Sequence, residues 1–237
     1  MIRSLVVESL KAGYGGSLIV DDVTFRVGEN DSLAVLGPNG SGKSTVARAV
    51  LGLCQTYEGS VLWDDQQLID RATWKRVRMG LGYVPQVANV FPSLTVQENL
   101  LMGAVGQNAP EQRQSLADVY DLFPGLADRL RVAAGHLSGG ERRMLSFATA
   151  IVSRPRLLIL DEPTSDLAPA AIDTVFDRIR TIQDELSIPI LLVEQNVAMA
   201  LELAKRYCVL VRGKIRHESK TVNASMDEIA GMFLERD

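Results

Sequence analysis

The sequence has few cysteines and histidines and no long apolar run. Cys54 and Cys208 are far apart, and each lies in an apolar stretch, which favours buried free thiols over a disulfide. His136 and His217 lack metal-ligand spacing to each other or to a cysteine. No run approaches the roughly 18 apolar residues of a spanning helix, and the first residues lack a signal-peptide pattern. These absences predict a cytoplasmic protein that reaches a membrane process only by docking.

The chain also lacks an excess of positive charge. Its 25 basic residues stand against 29 acidic ones, for a formal net charge of −4. This balance argues against a nucleic-acid partner, which would need a basic surface. It does not argue against a nucleotide, because backbone dipoles can hold phosphates without such a surface. At 237 residues, the chain is long enough for one large domain or for a core with a subdomain.

Hydrophobic patterning divides the chain into strand-rich and helix-rich parts. Residues 33–36 and 157–160 are continuously apolar, as in strands that are covered on both faces. Residues 87–150 instead show apolar positions at helical spacing, interrupted by glycine and proline. We therefore predict one domain over residues 1–237, with a core formed by residues 1–86 and 151–237 and a helical insertion at residues 87–150.

A glycine-rich segment lies between the apolar residues 33–36 and a helix-forming run at residues 44–53. It fits G-x-x-x-x-G-K-[ST], the pattern of a phosphate-binding loop. The glycines let backbone N–H groups close around phosphates, Lys43 would reach the β- and γ-phosphates, and the Ser44 hydroxyl would bind Mg²⁺. The alternative is a flexible glycine loop that carries a lysine by chance. The predicted binding residues are Gly37, Pro38, Asn39, Gly40, Ser41, Gly42, Lys43 and Ser44.

Two acidic residues follow directly after the apolar residues 157–160. Open α/β sheets bind ligands at the carboxyl ends of their strands, so Asp161 and Glu162 would lie beside a nucleotide. Asp161 is suited to hold Mg²⁺ through its water shell. Glu162 is suited to orient and deprotonate the attacking water. The alternative is a pair of solvated loop acids.

The segment Ser138-Gly139-Gly140-Glu141 opens a helix that is rich in apolar residues. Ser138 and Glu141 form an S-x-x-E capping box, which needs no ligand. Capping does not explain the two glycines, each of which lowers helix propensity by about 1 kcal/mol. They are understandable if an anion must approach the start of the helix closely.

With these motifs in this order, the chain resembles ATP-binding-cassette (ABC) ATPases over its whole length. The resemblance implies an α/β fold: a RecA-like P-loop NTPase core with an antiparallel β subdomain and a helical subdomain that carries the signature motif. It implies ATP and Mg²⁺ as ligands. It also implies that two such subunits close head to tail over two ATP molecules. A lone copy should then hydrolyse ATP poorly.

The resemblance assigns roles to further residues. Thr45 extends the phosphate loop, and Tyr14 corresponds to the aromatic residue that stacks on adenine; a simple turn tyrosine is the alternative. Gln86 corresponds to the glutamine that touches Mg²⁺ and the attacking water and senses the membrane partner. Ser138, Gly139 and Gly140 correspond to the signature that contacts the γ-phosphate bound by the opposite subunit.

The chain departs from the common family pattern in three places. Glu141 stands where glutamine is commoner, and residues 167–169 read Leu-Ala-Pro. Gln195 stands where most cassettes have histidine. Its amide can donate one hydrogen bond to a γ-phosphate oxygen but cannot become cationic. The alternative is a polar residue at a strand end. The predicted catalytic residues are Glu162, Lys43 and Gln195.

The combination of Leu-Ala-Pro at residues 167–169 with Val-Glu-Gln-Asn at residues 193–196 resembles the LivF-type branch of branched-chain amino acid importers, with the urea importers' UrtE type close beside it. Residues 90–100 also resemble that branch, in which they help to form a groove for a helix of the membrane subunit. An exposed Phe91 would serve such docking; burial in its own subdomain is the alternative.

The resemblance implies the ATP-hydrolysing subunit of an importer for branched-chain or other amino acids. The implied partners are a second ABC ATPase (a copy or a longer sister chain), polytopic membrane permease subunits and, indirectly, a periplasmic or extracellular binding protein. The implied location is the inner face of the cell membrane. The alternatives are a urea or amide importer, a lipopolysaccharide-export ATPase, and a non-transport cassette of the cluster-assembly type. Gln195 argues against the export ATPases, which normally keep the histidine.

Overall fold

The computed structural model describes residues 4–87 and 89–234. The strands are β1 (Leu5–Tyr14), β2 (Ser17–Val27), β3 (Ser32–Leu36), β4 (Gln55–Trp63), β5 (Gln66–Gln67), β6 (Leu81–Val84), β7 (Leu157–Asp161), β8 (Ile190–Glu194), β9 (Arg206–Val211) and β10 (Lys214–Lys220). The helices are α1 (Lys43–Leu51), α2 (Thr73–Arg78), α3 (Val96–Gly103), α4 (Ala109–Leu122), α5 (Pro124–Ala127), α6 (Gly139–Val152), α7 (Pro169–Leu186), α8 (Val197–Leu203) and α9 (Met226–Leu234).

The strands form two sheets. The larger sheet has the order β10-β9-β3-β8-β7-β6, and its neighbouring strands are parallel except for the antiparallel pair β9–β10. The smaller sheet, β2-β1-β4-β5, is antiparallel. A mostly parallel sheet with connecting helices, joined to an antiparallel sheet, confirms the predicted fold class.

Strand β3 shows why the larger sheet has continuous apolar runs. Leu33 and Val35 pack into a core shared with α1 and the antiparallel sheet. Ala34 and Leu36 point the other way, into the core formed with α6, α7 and α8. Because successive side chains of a strand alternate between faces, a strand covered on both faces favours a continuous apolar run such as residues 33–36.

Helix α1 begins directly after the phosphate loop and ends at a glycine. Gly42 precedes it with φ +102° and provides no side-chain cap, so the N–H groups of the first turn face the loop. Gly52 follows with φ +73°, and its N–H donates to the Ala49 carbonyl. The helix therefore stops before the predicted end at residue 53, because the left-handed glycine closes it in a Schellman-type cap.

The chain between β6 and β7 is helical. It contains α3, α4, α5 and α6, and Leu145, Phe147 and Ala148 of α6 are fully buried in the core on that side of the sheet. Helix α6 runs to Val152, past the predicted end of the insertion. The division of the chain into a core and a helical subdomain stays a prediction.

Both cysteines are free. Cys208 is buried in β9 and Cys54 is half-buried after α1, and burial raises the pKa of both thiols. Within residues 4–87 and 89–234, no helix combines the length and the hydrophobicity that a membrane crossing requires.

Candidate functional site

The phosphate loop has the geometry of a backbone cradle. Gly40 and Gly42 adopt φ of +78° and +102°, which L-residues with side chains rarely adopt. At Gly37, a Cβ would lie 2.2 Å from the Leu210 carbonyl oxygen, so the close approach of β9 also requires glycine. Ser41 is 3% exposed, and its hydroxyl has no hydrogen-bond partner among the described residues. A buried hydroxyl without a partner indicates a polar ligand at this loop.

The acidic residues lie at the end of β7, against the start of α1. The Ser44 hydroxyl donates to Asp161 Oδ1 at 2.7 Å, and the Tyr83 hydroxyl donates to Asp161 Oδ2 at 3.0 Å. Asp161 is fully buried. Burial raises the pKa of the Tyr83 phenol, and the Asp161 carboxylate raises it further. The phenol therefore stays a donor that fixes the orientation of the carboxylate.

Glu162 is held from two sides. Its Oε1 lies 3.2 Å from Lys43 Nζ, and its Oε2 accepts from Gln86 Nε2 at 3.1 Å. Lys43 Nζ also donates to the Pro38 carbonyl at 3.0 Å. Glu162 adopts φ +44°, a strained conformation for a non-glycine residue. The turn after β7 thus brings the carboxylate between the phosphate loop and the segment after β6.

A cavity of about 390 Å³ opens above these groups. The predicted adenine-stacking residue Tyr14 lies at its edge, 41% exposed, and its hydroxyl accepts from Arg48 Nη1 at 3.3 Å. A half-exposed ring beside a phosphate cradle fits the stacking of a base. The lining residues are Tyr14, Ile19, Asn39, Gly40, Gly42, Lys43, Ser44, Thr45, Gln86 and Glu162.

The oxygen donors at this site fit Mg²⁺. Ser44 and Asp161 offer a hydroxyl and a carboxylate, which are hard ligands. No group of three or more His, Cys, Asp or Glu residues in the described part of the chain could hold a metal by itself. Mg²⁺ usually combines one or two carboxylates with substrate phosphates. Ser44 and Asp161 would therefore hold Mg²⁺ together with a nucleotide.

The predicted signature residues lie at the start of α6. Ser138 and Glu141 form the predicted capping box, in which each side chain accepts from the other residue's N–H. Ser138 and Gly139 are exposed, and a Cβ at Gly139 would meet no atom within 4 Å. The described residues that line the nucleotide cavity do not include Ser138, Gly139 or Gly140. Gly139 thus leaves open space at the helix start, whereas a Cβ at Gly140 would lie 3.3 Å from the Ala171 Cβ.

Gln195 follows β8 and lies on the other side of Glu162. Gln195 and Glu162 line a second cavity of about 360 Å³, together with Thr164, Ser165, Glu194 and Asn196. The Gln195 side chain is exposed. The structure therefore brings Lys43 and Gln86 into contact with the Glu162 carboxylate and places Gln195 in a cavity that Glu162 also lines.

We expect the Gln195→His substitution to keep hydrolysis within about threefold, because Glu162 and Lys43 are unchanged and an exposed site accepts a ring. The imidazole, with an ordinary pKa of about 6.5, should add a step in the rate between about pH 6 and 7. Hydrolysis rates of wild type, Gln195→His and Gln195→Ala between about pH 6 and 8 test this. Complete loss of activity in Gln195→His would contradict it.

Tyr83 and Arg143 contact the predicted site residues, and the sequence did not indicate either of them. Tyr83 fixes Asp161, as described above. Arg143 of α6 is buried, and its guanidinium donates to the Pro85 carbonyl at 2.6 Å and to the Gln86 carbonyl. It thereby ties the signature helix to the segment that carries Gln86. In the sequence, Arg143 follows Arg142 and Glu141, and nothing local indicates that it is the buried one.

The structure and the site define a P-loop nucleotide-binding cassette. Residues 20–165, more than half of the chain, match the family described as ABC transporter. This chain belongs to that family and is an ATP-binding ATPase, which confirms the family inferred from the motifs.

Two relatives and one solved structure show how far the similarity extends. The "Probable branched-chain amino acid transport ATP-binding protein LivF" of Archaeoglobus fulgidus is 41% identical over 215 residues, 91% of this chain and 90% of that protein. The "High-affinity branched-chain amino acid transport ATP-binding protein BraG" of Pseudomonas aeruginosa is 36% identical, over 89% and 90% of the two chains. A structure described as "Structure of ATP binding subunit of ABC transporter" superposes with a TM-score of 0.82 at 26% identity, over 98% of this chain and 99% of that chain.

Proposed function

We propose that this chain is the ATP-hydrolysing subunit of an importer for branched-chain or other amino acids. The placement of Glu162 between Lys43 and Gln86 carries the hydrolytic part of the proposal. The names of the two relatives both refer to branched-chain amino acid transport. They support amino acids as the transported substrate.

In this proposal, the loop at residues 37–45 binds the phosphates of ATP and Tyr14 stacks on the adenine. Ser44, Asp161 and Gln86 would hold Mg²⁺, which would neutralise negative charge on the phosphates. Lys43 leaves its ion pair with Glu162 for the β- and γ-phosphates. The freed Glu162 carboxylate then accepts a proton from the attacking water, which Gln86 helps to orient.

The exposed signature supports a head-to-tail pair of subunits. Gly139 and Gly140 offer backbone N–H groups at a helix start, a natural anion site, with the Ser138 hydroxyl beside them, yet none of the three lines this chain's own cavity. We infer that they contact the γ-phosphate bound by a second ABC ATPase, either a copy of this chain or a longer sister chain.

A surface groove supports docking to a membrane permease at the inner face of the cell membrane. The groove has a volume of about 590 Å³ and lies between α2, α3 and α6. Among its lining side chains are the exposed apolar residues Trp74, Val77, Met102 and Val105, with Arg78 beside them. Phe91 is 51% exposed, but it is not among the described residues that line the groove. We infer that the groove receives a cytoplasmic helix of the permease.

Introducing a charge into the groove tests the docking. We expect Met102→Glu to abolish co-purification with the membrane subunits co-expressed beside it, because a carboxylate would be desolvated against an apolar helix. ATP binding by the isolated chain should be unchanged. Val222→Glu is the matched control, since Val222 is 86% exposed. Equal recovery of the complex with Met102→Glu and with wild type would rule out this groove.

The identity of the transported substrate can be tested by measuring substrate uptake into vesicles that contain the assembled complex and its binding protein. We expect ATP-dependent accumulation of leucine, isoleucine or valine and no accumulation of urea. Accumulation of urea alone would show that the complex imports urea rather than amino acids. ATP hydrolysis by a purified complex without any membrane subunit, coupled to no transport, would favour a non-transport cassette.

A further inference from the structure

Glu194, the last residue of β8, is a buried carboxylate that accepts three hydrogen bonds. It is 3% exposed. Its Oε1 accepts from the Thr164 hydroxyl at 2.8 Å, and its Oε2 accepts from the N–H groups of Gln195 at 2.9 Å and Asn196 at 3.1 Å. A single side chain thus connects the segment after β7 with the segment after β8.

Both connected segments carry residues of the proposed site. Thr164, itself buried, comes two residues after Glu162. Gln195 lines the cavity that Glu162 also lines. The Glu162 N–H also donates to the carbonyl of Val193, in β8, at 2.8 Å. Of the three Glu194 bonds, the one from Thr164 crosses between the two segments, and the two from Gln195 and Asn196 fix the carboxylate against its own segment.

The burial of this carboxylate is costly. Desolvation raises its pKa, its hydrogen-bond donors lower the pKa, and the nearby Glu162 carboxylate raises it. Among the described residues, Glu194 has no ion pair within 4 Å. An apolar side chain would be cheaper to bury at this position, so packing alone does not account for a glutamate. The three hydrogen-bond donors that point at this side chain account for the glutamate, because they bond to both of its carboxylate oxygens.

We infer that Glu194 is a positioning residue for ATP hydrolysis, which locks the segment carrying Glu162 and Thr164 to the segment carrying Gln195. This inference rests on the proposed role of Glu162. Glu194 does not line the nucleotide cavity, and it acts through its neighbours. Its loss should let Glu162 shift relative to the attacking water, and a displacement of about 1 Å can cost about 10²-fold in rate.

Four variants separate positioning from simple structural support. Glu194→Gln can keep all three hydrogen bonds: its amide oxygen accepts from the two N–H groups, and its NH₂ donates to the Thr164 hydroxyl, which can also accept. We expect its kcat within about threefold of wild type. Glu194→Ala removes every bond and should lower kcat about 10- to 100-fold. Thr164→Val removes one bond at nearly constant volume and should lower kcat about tenfold, and Thr164→Ser should restore it.

The distinguishing readout is the split between kcat and KM, measured in the full chain with its partner subunits. The phosphate loop is untouched, so KM for ATP should stay within about twofold in all four variants. The double variant Glu194→Ala/Thr164→Val should be no slower than Glu194→Ala, because both changes remove the same link. Glu202→Ala, an exposed glutamate in α8, is the control. Urea unfolding of each variant identifies those that are merely destabilised.

Three results would overturn the inference. These are a Thr164→Val variant with wild-type kcat, a loss in Thr164→Val that Thr164→Ser does not restore, and losses that multiply in the double variant. If Glu194→Ala does not fold, the two Thr164 variants and Glu194→Gln still decide the question. Failure of the proposed function has a different signature: Glu162→Gln itself would then retain full hydrolysis.

Discussion

The Glu162→Gln variant should bind ATP normally and hydrolyse it about 10²- to 10⁴-fold more slowly than wild type, the range that a general base contributes. The amide keeps the shape of the side chain and can still contact Lys43 and Gln86, whose atoms lie 3.2 and 3.1 Å from the carboxylate. It cannot accept a proton from water. The variant also lacks the negative charge that competes with phosphate for Lys43, so its affinity for ATP should not fall.

Slow hydrolysis should leave ATP between two closed subunits. We expect Glu162→Gln with ATP to show the mass of a dimer by light scattering, while wild type returns to the monomer as ATP is consumed. Measurements with the chain alone and with its sister cassette distinguish a homodimer from a mixed pair. Glu202→Gln, at an exposed glutamate, is the control for the loss of one charge. A variant that stays monomeric at high concentration in both mixtures would contradict the head-to-tail arrangement.

The parts of the site that could be predicted from the sequence are those encoded within one short segment. The phosphate loop depends on glycines at fixed positions between one strand and one helix, so its pattern is local. The same holds for Asp161 and Glu162 directly after an apolar strand and for the capping box at Ser138. In each case, backbone conformation over a few residues determines the geometry.

The contacts that hold those parts together could not be predicted in this way. Tyr83 reaches Asp161 because β6 and β7 are neighbours in the sheet, and Thr164 reaches Glu194 because β7 and β8 are neighbours. Strand order is a property of the whole sheet and has no local sequence signal. In the sequence, Glu194 looks like an ordinary polar residue at the end of a strand. Its burial, which only the structure shows, distinguishes it from a solvated glutamate.

Arg76 is another residue whose role depends on the tertiary structure. It belongs to the short helix α2, where the sequence Lys75-Arg76 suggests a solvated basic face, yet Arg76 is 3% exposed. Its guanidinium donates to the carbonyls of Ala49 at 2.9 Å and Val50 at 2.8 Å, in the last turn of α1. It also donates to the carbonyls of Ile69 at 3.0 Å and Arg71 at 2.8 Å.

The last carbonyls of a helix have no partner within the helix and carry the negative end of its dipole. Arg76 supplies both the donors and the positive charge at the end of α1, at the cost of a desolvation that lowers its own pKa. Gly52 makes room for it, since a Cβ there would lie 2.7 Å from the guanidinium carbon. Arg76 thus anchors the helix that presents Lys43 and Ser44 at its other end.

We expect Arg76→Met to lower the free energy of unfolding by about 3–5 kcal/mol, because the carbonyls of Val50, Ile69 and Arg71 lose their Arg76 donor. Arg76→Lys should cost less, about 2 kcal/mol, since one ammonium group cannot reach all four carbonyls. Urea unfolding of the purified chain measures both, with Arg78→Met as an exposed control in the same helix, expected to change the free energy by less than about 0.5 kcal/mol. A loss below about 1 kcal/mol in Arg76→Met would show that water or a local shift satisfies these carbonyls.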